Sequence, residues 1–413
     1  QFVLGRTIEE GVKEAKAYQK KGYRLSYDML GEGARTMDDA EKFMKSYMHA
    51  IGEIAKSGNG KGTGNGRPGL SVKLSALYPR YEFRQSDRCI PYLTDRLREL
   101  TESCMKHDVA LTVDAEEADR LAISLELIET IMKDSKLQGW DGFGLAVQAY
   151  QKRAMPVIEH LATLCHDTNR RIQVRLVKGA YWDTEIKRAQ VFGLEDYPVF
   201  TRKANTDLAY LTCAHRMLEE REVFYPMFAT HNAHSLAAVL DMAGNDRTGF
   251  EFQRLHGMGE TLHDHILKDG LAEICVYAPC GSHEELLPYL VRRLLENGAS
   301  TSFVYQILDQ NVPADMIAAD PVLNARDHHT KIHDKIPQPT NIYGAGRKNA
   351  KGLDITETRL IDPALQKIES VYDEKFEAGP FIAGRLHKPG SPVQITNPAQ
   401  NDDIVGDVWH AND

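Results

Sequence analysis

Apolar, β-branched runs bounded by turn residues recur at about residues 22–30, 69–75, 110–115, 143–148, 171–177, 225–230, 250–255 and 274–279. Several are apolar at nearly every position, as in Ala110-Leu-Thr-Val-Asp114 and Gly144-Leu-Ala-Val-Gln148, the pattern of strands covered on both faces. Helical patterns lie between them. The clearest follows Thr36, where a Thr-x-x-Asp39 capping box precedes Ala40, Phe43, Met44, Tyr47, Met48, Ile51 and Ile54 on one stripe. Such a stripe needs a sheet to pack on. Strand and helix alternating eight times predicts an α/β fold, a (βα)8 barrel of TIM type, with its chemistry at the carboxyl ends of the strands.

The residues at or just past those ends are Asp28 with Glu32, Lys73, Asp114 with Glu116, Gln148, Arg175, Thr230 with His231, Gln253 or His256, and Tyr277. Polar loops are ordinary in a barrel. Lys73 and Arg175, however, sit inside apolar runs, where a charge needs a partner or a ligand, and Asp114 is the obvious counter-ion. Arg175 is followed by Lys178, Gly179 and the adjacent rings of Tyr181 and Trp182, so cation and flat surfaces are aimed at one spot, as in an enzyme that holds an electron-accepting ring. A second concentration is the helix opened by Ser282-x-x-Glu285 and stopped by Asn297-Gly298. Its Arg292 and Arg293 are flanked by aliphatic residues, which places at least one guanidinium near buried surface. One reading is an ion pair to Glu296 within the helix. The other is a carboxylate clamp that Lys73 completes.

Composition narrows the classes. With 413 residues, 42% of them hydrophobic, the chain accommodates one barrel or two smaller domains. A formal charge of −9 with scattered arginines gives no nucleic-acid footprint. Six cysteines without a C-x-x-C pair, and no secretory segment, point to reduced thiols in the cytoplasm. No run approaches the roughly 18–20 apolar residues that span a bilayer, so any contact with an inner membrane would be peripheral. Gly64-Asn-Gly66-Arg-Pro-Gly69 matches a dinucleotide fingerprint by letter, but it precedes a strand and opens no helix. His231 with His234, the group His256, His263 and His265, and Asp327 to His333 lack the spacing of a barrel metal site, and no metal is expected. A metal-dependent hydrolase and a non-catalytic scaffold are the alternatives to an enzyme that holds an electron-accepting ring. From Lys335-Ile-Pro-Gln-Pro-Thr340 the composition becomes that of a linker.

Taken in order, these stretches resemble the proline dehydrogenase domain of proline utilization A, the bifunctional flavoenzyme family of bacterial proline catabolism. The resemblance runs from Gly22-Tyr-Arg-Leu-Ser-Tyr-Asp28-Met-Leu-Gly-Glu32 through Leu70-Ser-Val-Lys73, Val113-Asp114-Ala-Glu-Glu117, Val147-Gln148-Ala-Tyr-Gln-Lys152 and Arg175-Leu-Val-Lys-Gly-Ala-Tyr-Trp-Asp183. It continues in Ala229-Thr230-His-Asn-Ala-His234, Leu255-His-Gly-Met-Gly-Glu260, Tyr277-Ala-Pro279 and Tyr289-Leu-Val-Arg292-Arg293-Leu-Leu-Glu296, covering about residues 1–345. It implies a distorted (βα)8 barrel whose last helix lies over the mouth. It also implies FAD along the strand ends, with Arg175 near flavin N5 and Ala115, Gln148, Val177, Gly179, Trp182, Thr201, Lys203, Thr230, His231 and Glu296 beside the cofactor. Arg292, Arg293 and Lys73 would hold the carboxylate of L-proline, with Tyr277, Tyr181 and Leu176 walling its ring. Arg175, Asp114 and Lys73 would carry the chemistry, and Asp28 and Glu32 would pair with the arginines as a gate. Electrons would pass to a quinone at a membrane surface. The expected organisation is a barrel over 1–335, a linker over 336–380, and over 381–413 the opening strands of an aldehyde-dehydrogenase-like domain, the remainder of which is missing.

Overall fold

Every apolar run named above forms a strand. In a computed structural model that describes residues 2–57, 66–298, 313–317, 319–326, 332–372 and 374–412, the strands are β1 (Arg24–Met29), β2 (Gly69–Val72), β3 (Ala110–Val113), β4 (Phe143–Gln148), β5 (Ile172–Val177), β6 (Phe224–Ala229), β7 (Glu251–Leu255) and β8 (Glu273–Cys280). All neighbours pair in parallel and β8 returns to β1, closing the barrel. Helices α1 (Ile8–Lys20), α2 (Met37–Lys56), α3 (Ser86–His107), α4 (Leu121–Met132), α5 (Ala154–Thr168), α6 (Trp182–Phe192), α7 (Lys203–Glu219), α8 (Ala233–Ala243), α9 (Glu260–Lys268) and α10 (His283–Gly298) alternate with the strands, α6 and α7 both falling between β5 and β6.

The helix α2 illustrates how local sequence sets an element. Thr36 Oγ1 accepts from Asp39 N at 3.1 Å and Asp39 Oδ2 accepts from Thr36 N at 2.9 Å, satisfying two donors that a helix start otherwise leaves open. Ala40, Met44, Tyr47, Ile51 and Ile54 are then buried, with Phe43 and Met48 partly so.

Successive strand residues point to opposite faces. Leu25, Tyr27, Leu70, Val72, Leu111, Val113, Val174, Leu176 and Phe252 lie in the main hydrophobic core between sheet and helices. Their neighbours Ser26, Ser71, Asp114, Arg175, Gln253 and Tyr277 meet one another inside the barrel. The strands are therefore less uniformly apolar than the runs suggested, because one face lines a polar interior.

Two compact units exist, Gln1–Gly352 and Leu353–Asp413. The barrel unit extends past 335, the boundary expected from composition. Residues beyond it satisfy groups around α6: Tyr197 Oη donates to Pro337 O at 2.7 Å, Asn349 Nδ2 to Gln190 O at 2.8 Å and Gly352 N to Gly193 O at 3.0 Å. The second unit has a helix, Thr358–Tyr372, within the stretch expected as linker, and short strands that pair among themselves. All six cysteines are free and buried. Among the described residues no helix is long and apolar enough to cross a membrane.

Candidate active site

The polar interior rises in layers to the mouth. At its base Arg24 Nε donates to Glu251 Oε2 at 2.8 Å. Glu251 Oε1 accepts from Gln253 Nε2 at 2.6 Å, and Gln253 Oε1 accepts from Arg175 Nε at 2.7 Å. The Arg175 fork also reaches Ser71 Oγ (3.0 Å), Ser26 Oγ (3.2 Å) and Asp114 Oδ1 (2.7 Å). At the top, Lys73 Nζ sits 3.0 Å from both Asp28 Oδ1 and Asp114 Oδ2, and Tyr277 Oη donates to Asp114 Oδ2 at 2.9 Å. The guanidinium of Arg175 lies over the Tyr277 ring at 5.0 Å.

Burial opposes the charges of Lys73, Asp28 and Asp114, and the partners decide the outcome. Burial works against the Lys73 ammonium, but the facing carboxylates, Asp28 foremost, hold it well above the ordinary lysine value. Burial raises Asp28, with Asp114 adding to the rise and Lys73 opposing it. Asp114 goes the other way: burial pushes upward, and Lys73 and Arg175 together bring it below the ordinary carboxylate range. Desolvation, then Asp114, raises the Tyr277 phenol, so it remains a donor.

Arg292 Nη1 and Nη2 grip Glu32 at 2.5 and 2.7 Å, and the same guanidinium lies 5.3 Å from the Tyr181 ring. Glu32 follows β1 and Tyr181 follows β5, on opposite sides of an eight-stranded closure, so α10 spans the mouth. Arg293 is buried against the Tyr289 ring and its charge acts on His231. The side chain of Glu296 lies outside the described residues, as do Asp327–Lys331.

Other expected residues are placed along the rim. Gln148 Nε2 donates to Glu116 O at 2.7 Å and its Oε1 accepts from Ala180 N at 3.3 Å. Gly179 has φ +143°, and a Cβ there would lie 2.4 Å from the Tyr150 ring, so the β5–α6 turn requires glycine. Val177 shares the inward face of β5 with Arg175, and Ala115 follows Asp114, half-buried. Trp182 Nε1 donates to Phe200 O at 2.9 Å, and Thr201 Oγ1 accepts from His333 N at 3.0 Å. Lys203 pairs with Asp207. Thr230 Oγ1 accepts from Asn232 N at 3.1 Å. His231 Nε2 accepts from Leu255 N at 3.0 Å, and burial, with His263 adding to it, holds the imidazole down to about 3. It is neutral, with its proton on Nδ1.

Two expectations are corrected. Leu176 does not reach the mouth; it alternates with Arg175 and is fully buried in the core on the helix side. Asp28 pairs with Lys73 rather than with an arginine and has no exposed surface, so it belongs to the buried network and not to a gate. The residue that parity does place inward is Leu255, two positions beyond Gln253 and paired in register with Tyr277. Ser26, Ser71 and Glu251 were also missed, although the period-two patterns Arg24-x-Ser26-x-Asp28, Ser71-x-Lys73 and Glu251-x-Gln253 announce them.

Charged strand ends converging under a covering helix define a barrel enzyme. Residues 11–306 match the Proline dehydrogenase family model, and the chain belongs to that family. It is 48% identical to the bifunctional protein PutA of Klebsiella aerogenes over 427 aligned residues, covering 100% of this chain and 32% of that protein. A crystal structure of a variant of Bradyrhizobium japonicum proline utilization A superposes with a TM-score of 0.84 at 48% identity, covering 89% of this chain and 38% of the other. Proline utilization A from Bdellovibrio bacteriovorus, in a structure inactivated by N-propargylglycine, superposes with a TM-score of 0.89 at 26% identity, covering 100% and 43%. The chain thus spans about a third of the length of the PutA relatives it matches.

Proposed function

We propose that this chain is an FAD-dependent proline dehydrogenase that oxidises L-proline to 1-pyrroline-5-carboxylate, the first step of proline catabolism, and passes the electrons to a quinone. The observation that carries the proposal is the convergence of Lys73, Arg175 and Arg292 with the Tyr277 and Tyr181 rings at one mouth. Cations there suit an amino-acid carboxylate, and the rings suit an apolar five-membered ring. Inactivation of the Bdellovibrio relative by N-propargylglycine, itself a secondary amine bearing a carboxylate, supports the substrate class.

The residues present fit a flavin dinucleotide. Gly179 leaves the β5–α6 turn without a side chain, Arg175 lies just below the mouth, and a cleft lined by Lys203 opens beside α8. Val177, Gly179, Trp182, Gln148, Ala115, Thr230, His231, Thr201 and Lys203 would hold FAD, with Arg175 near N5 and Glu296 as a further contact. When bound, FAD supplies a two-electron acceptor. Proline must lose a hydride from its ring carbon and a proton from its amine as the C=N bond forms. Arg175 provides fixed positive charge for the electrons' arrival, needing no reorganisation because four acceptors and the Tyr277 ring already hold its guanidinium. Arg292, Arg293 and Lys73 orient the carboxylate, and the same cations lower the amine's pKa, so the neutral amine forms readily.

Glu32 occupies the Arg292 fork as the substrate carboxylate would. Burial raises the Glu32 carboxyl, but the Arg292 bonds outweigh it and keep it ionised. Exchange of Glu32 for proline would therefore open and close the mouth. Residues 381–413 are proposed to begin an aldehyde-dehydrogenase-like domain, consistent with the greater length of the bifunctional relatives. The test is the visible spectrum of the purified protein: it should be yellow and bleach with L-proline. Bleaching by other amino acids but not proline would overturn the proposal.

A further inference from the structure

Beside the mouth Lys203, already placed along the cofactor, belongs to a unit whose other two members, Lys178 and Asp207, the chemistry above leaves unused. Lys178 follows β5 and Lys203 opens α7; their ammoniums donate to different oxygens of Asp207, one turn along α7 from Lys203. Burial raises the Asp207 carboxyl, and Lys178 and Lys203 more than reverse that, keeping it ionised. Two ammoniums on one carboxylate leave one net positive charge.

That charge borders an open cleft, also lined by Asn232, His234, Ser235 and Asn324. Helix α8 starts there. Asn232 caps it by accepting from Ser235 N at 3.0 Å, so the positive end of its dipole meets the cleft. Lys203 and a helix start around one opening, with Lys178 behind Asp207, are the equipment for a diphosphate.

We infer that Lys178 is a positioning residue for the diphosphate of the bound dinucleotide, sharing Asp207 so that Lys203 presents net positive charge to the cleft. The inference rests on the flavin reading above and gives Lys178 and Asp207 functions within it. Without Lys178, Asp207 would neutralise Lys203 and leave the helix end to face the anion alone. Lys178 faces Asp207, Lys203 and the Tyr210 ring, whose centroid is 5.6 Å from its Nζ. Burial, reinforced by Lys203 and opposed by Asp207, brings its ammonium down to about 8.

The test is titration calorimetry of the full chain, freed of bound flavin, with ADP and with FAD. It compares the unaltered chain with Lys178→Met and with the double variant Lys178→Met/Asp207→Asn. Lys178→Met should weaken ADP binding roughly tenfold, and adding Asp207→Asn should restore it to within about threefold, because the net charge returns to one. Because Asp207→Asn also removes an under-paired buried carboxylate, the pH dependence of binding is what separates this role from a merely structural one. ADP binding should also weaken as pH rises through about 8 in the unaltered chain, and stay level in Lys178→Arg. Unchanged ADP affinity in Lys178→Met, failure of the double variant to recover, or no ADP binding by the unaltered chain would overturn the inference. ADP binding with no affinity for FAD would bring down the flavin reading while supporting the diphosphate cradle.

Discussion

At the scale of single residues, the Arg292 fork is the most direct handle on substrate binding. Lysine keeps its charge but not the two parallel bonds now made to Glu32. Arg292→Lys should raise KM for proline about tenfold and leave kcat within about threefold, since it removes grip that ground and transition states share. Steady-state kinetics with an artificial electron acceptor would check this; a fall in kcat at unchanged KM would place Arg292 in the chemistry instead. A second handle is Glu185, which is buried on α6 and accepts from Ala118 N at 2.7 Å. Burial, then the nearby Asp119 and Glu117, outweigh the Ala118 bond and Arg188 and lift its carboxyl from 4.5 to about 7. A raised pKa means the folded state holds its proton longer than the unfolded chain. That stability is complete below the unfolded value and is lost as pH climbs through about 7, amounting to about 3 kcal/mol. Glu185→Gln retains the acceptor for Ala118 N without the charge, so denaturant unfolding should find it more stable than the unaltered chain at pH 8 and less dependent on pH. Equal slopes in both proteins would refute this. Much of the site was legible at this scale because a cation inside an apolar run demands a partner, which named Lys73, Asp114 and Arg175 together. Leu176 was misplaced although parity opposes it: once Arg175 points inward, its neighbour must point out. Asp28 was misassigned for a different reason, since its pairing with Lys73 depends on β1 lying beside β2, which no local pattern announces.

At the scale of elements, the sequence was most informative where one physical cause acts alone. Parallel strands under helices must be apolar on the covered face, and the eight runs marked the eight strands to within a few residues. The α2 start was equally plain, because Thr36 and Asp39 satisfy each other across three positions. The inward strand face was harder to read, since its polar residues find partners on strands far away in sequence, such as Arg175 with Ser26 and Gln253. Two element boundaries should consequently respond differently to mutation. Thr36→Ala removes a cap remote from the mouth and should cost about 1 kcal/mol of unfolding free energy with little change in proline turnover. Gly179→Ala places a methyl against the Tyr150 ring in a left-handed turn that alanine resists, and so displaces the loop carrying Tyr181 and Trp182. It should lose flavin on gel filtration, read as the ratio of visible to ultraviolet absorbance, by more than its stability loss explains. A Gly179→Ala protein with full flavin content and unchanged turnover would mean that the turn does not position the site.

At the scale of the whole molecule, the site and the unit that holds it are separable from the remainder of the chain. The network from Arg24–Glu251 up to Arg292–Glu32 lies within Gln1–Gly352, and so does the cleft beside α8. Composition placed the domain's end near 335, because proline, glycine and asparagine beyond it read as linker. The structure moves the boundary because those same residues serve as partners: Pro337 O takes the Tyr197 hydroxyl, Asn349 bonds Gln190 O, and Gly352 bonds Gly193 O. Tyr197 is buried in the small cluster against which Trp182 packs, so the strap braces the loop region expected to meet the cofactor. Two truncations should therefore differ. A chain ending at Gly352 keeps every one of these bonds and should retain flavin and proline-dependent reduction of an artificial acceptor at rates within about twofold of the full chain. A chain ending at Lys335 leaves the Tyr197 hydroxyl and the Gln190 and Gly193 carbonyls without these partners, at about 1 kcal/mol or more for each buried group. It should unfold at lower denaturant concentration and release flavin more readily. Indistinguishable stability and flavin content in the two truncations would return the boundary to 335 and reduce the strap to a tether.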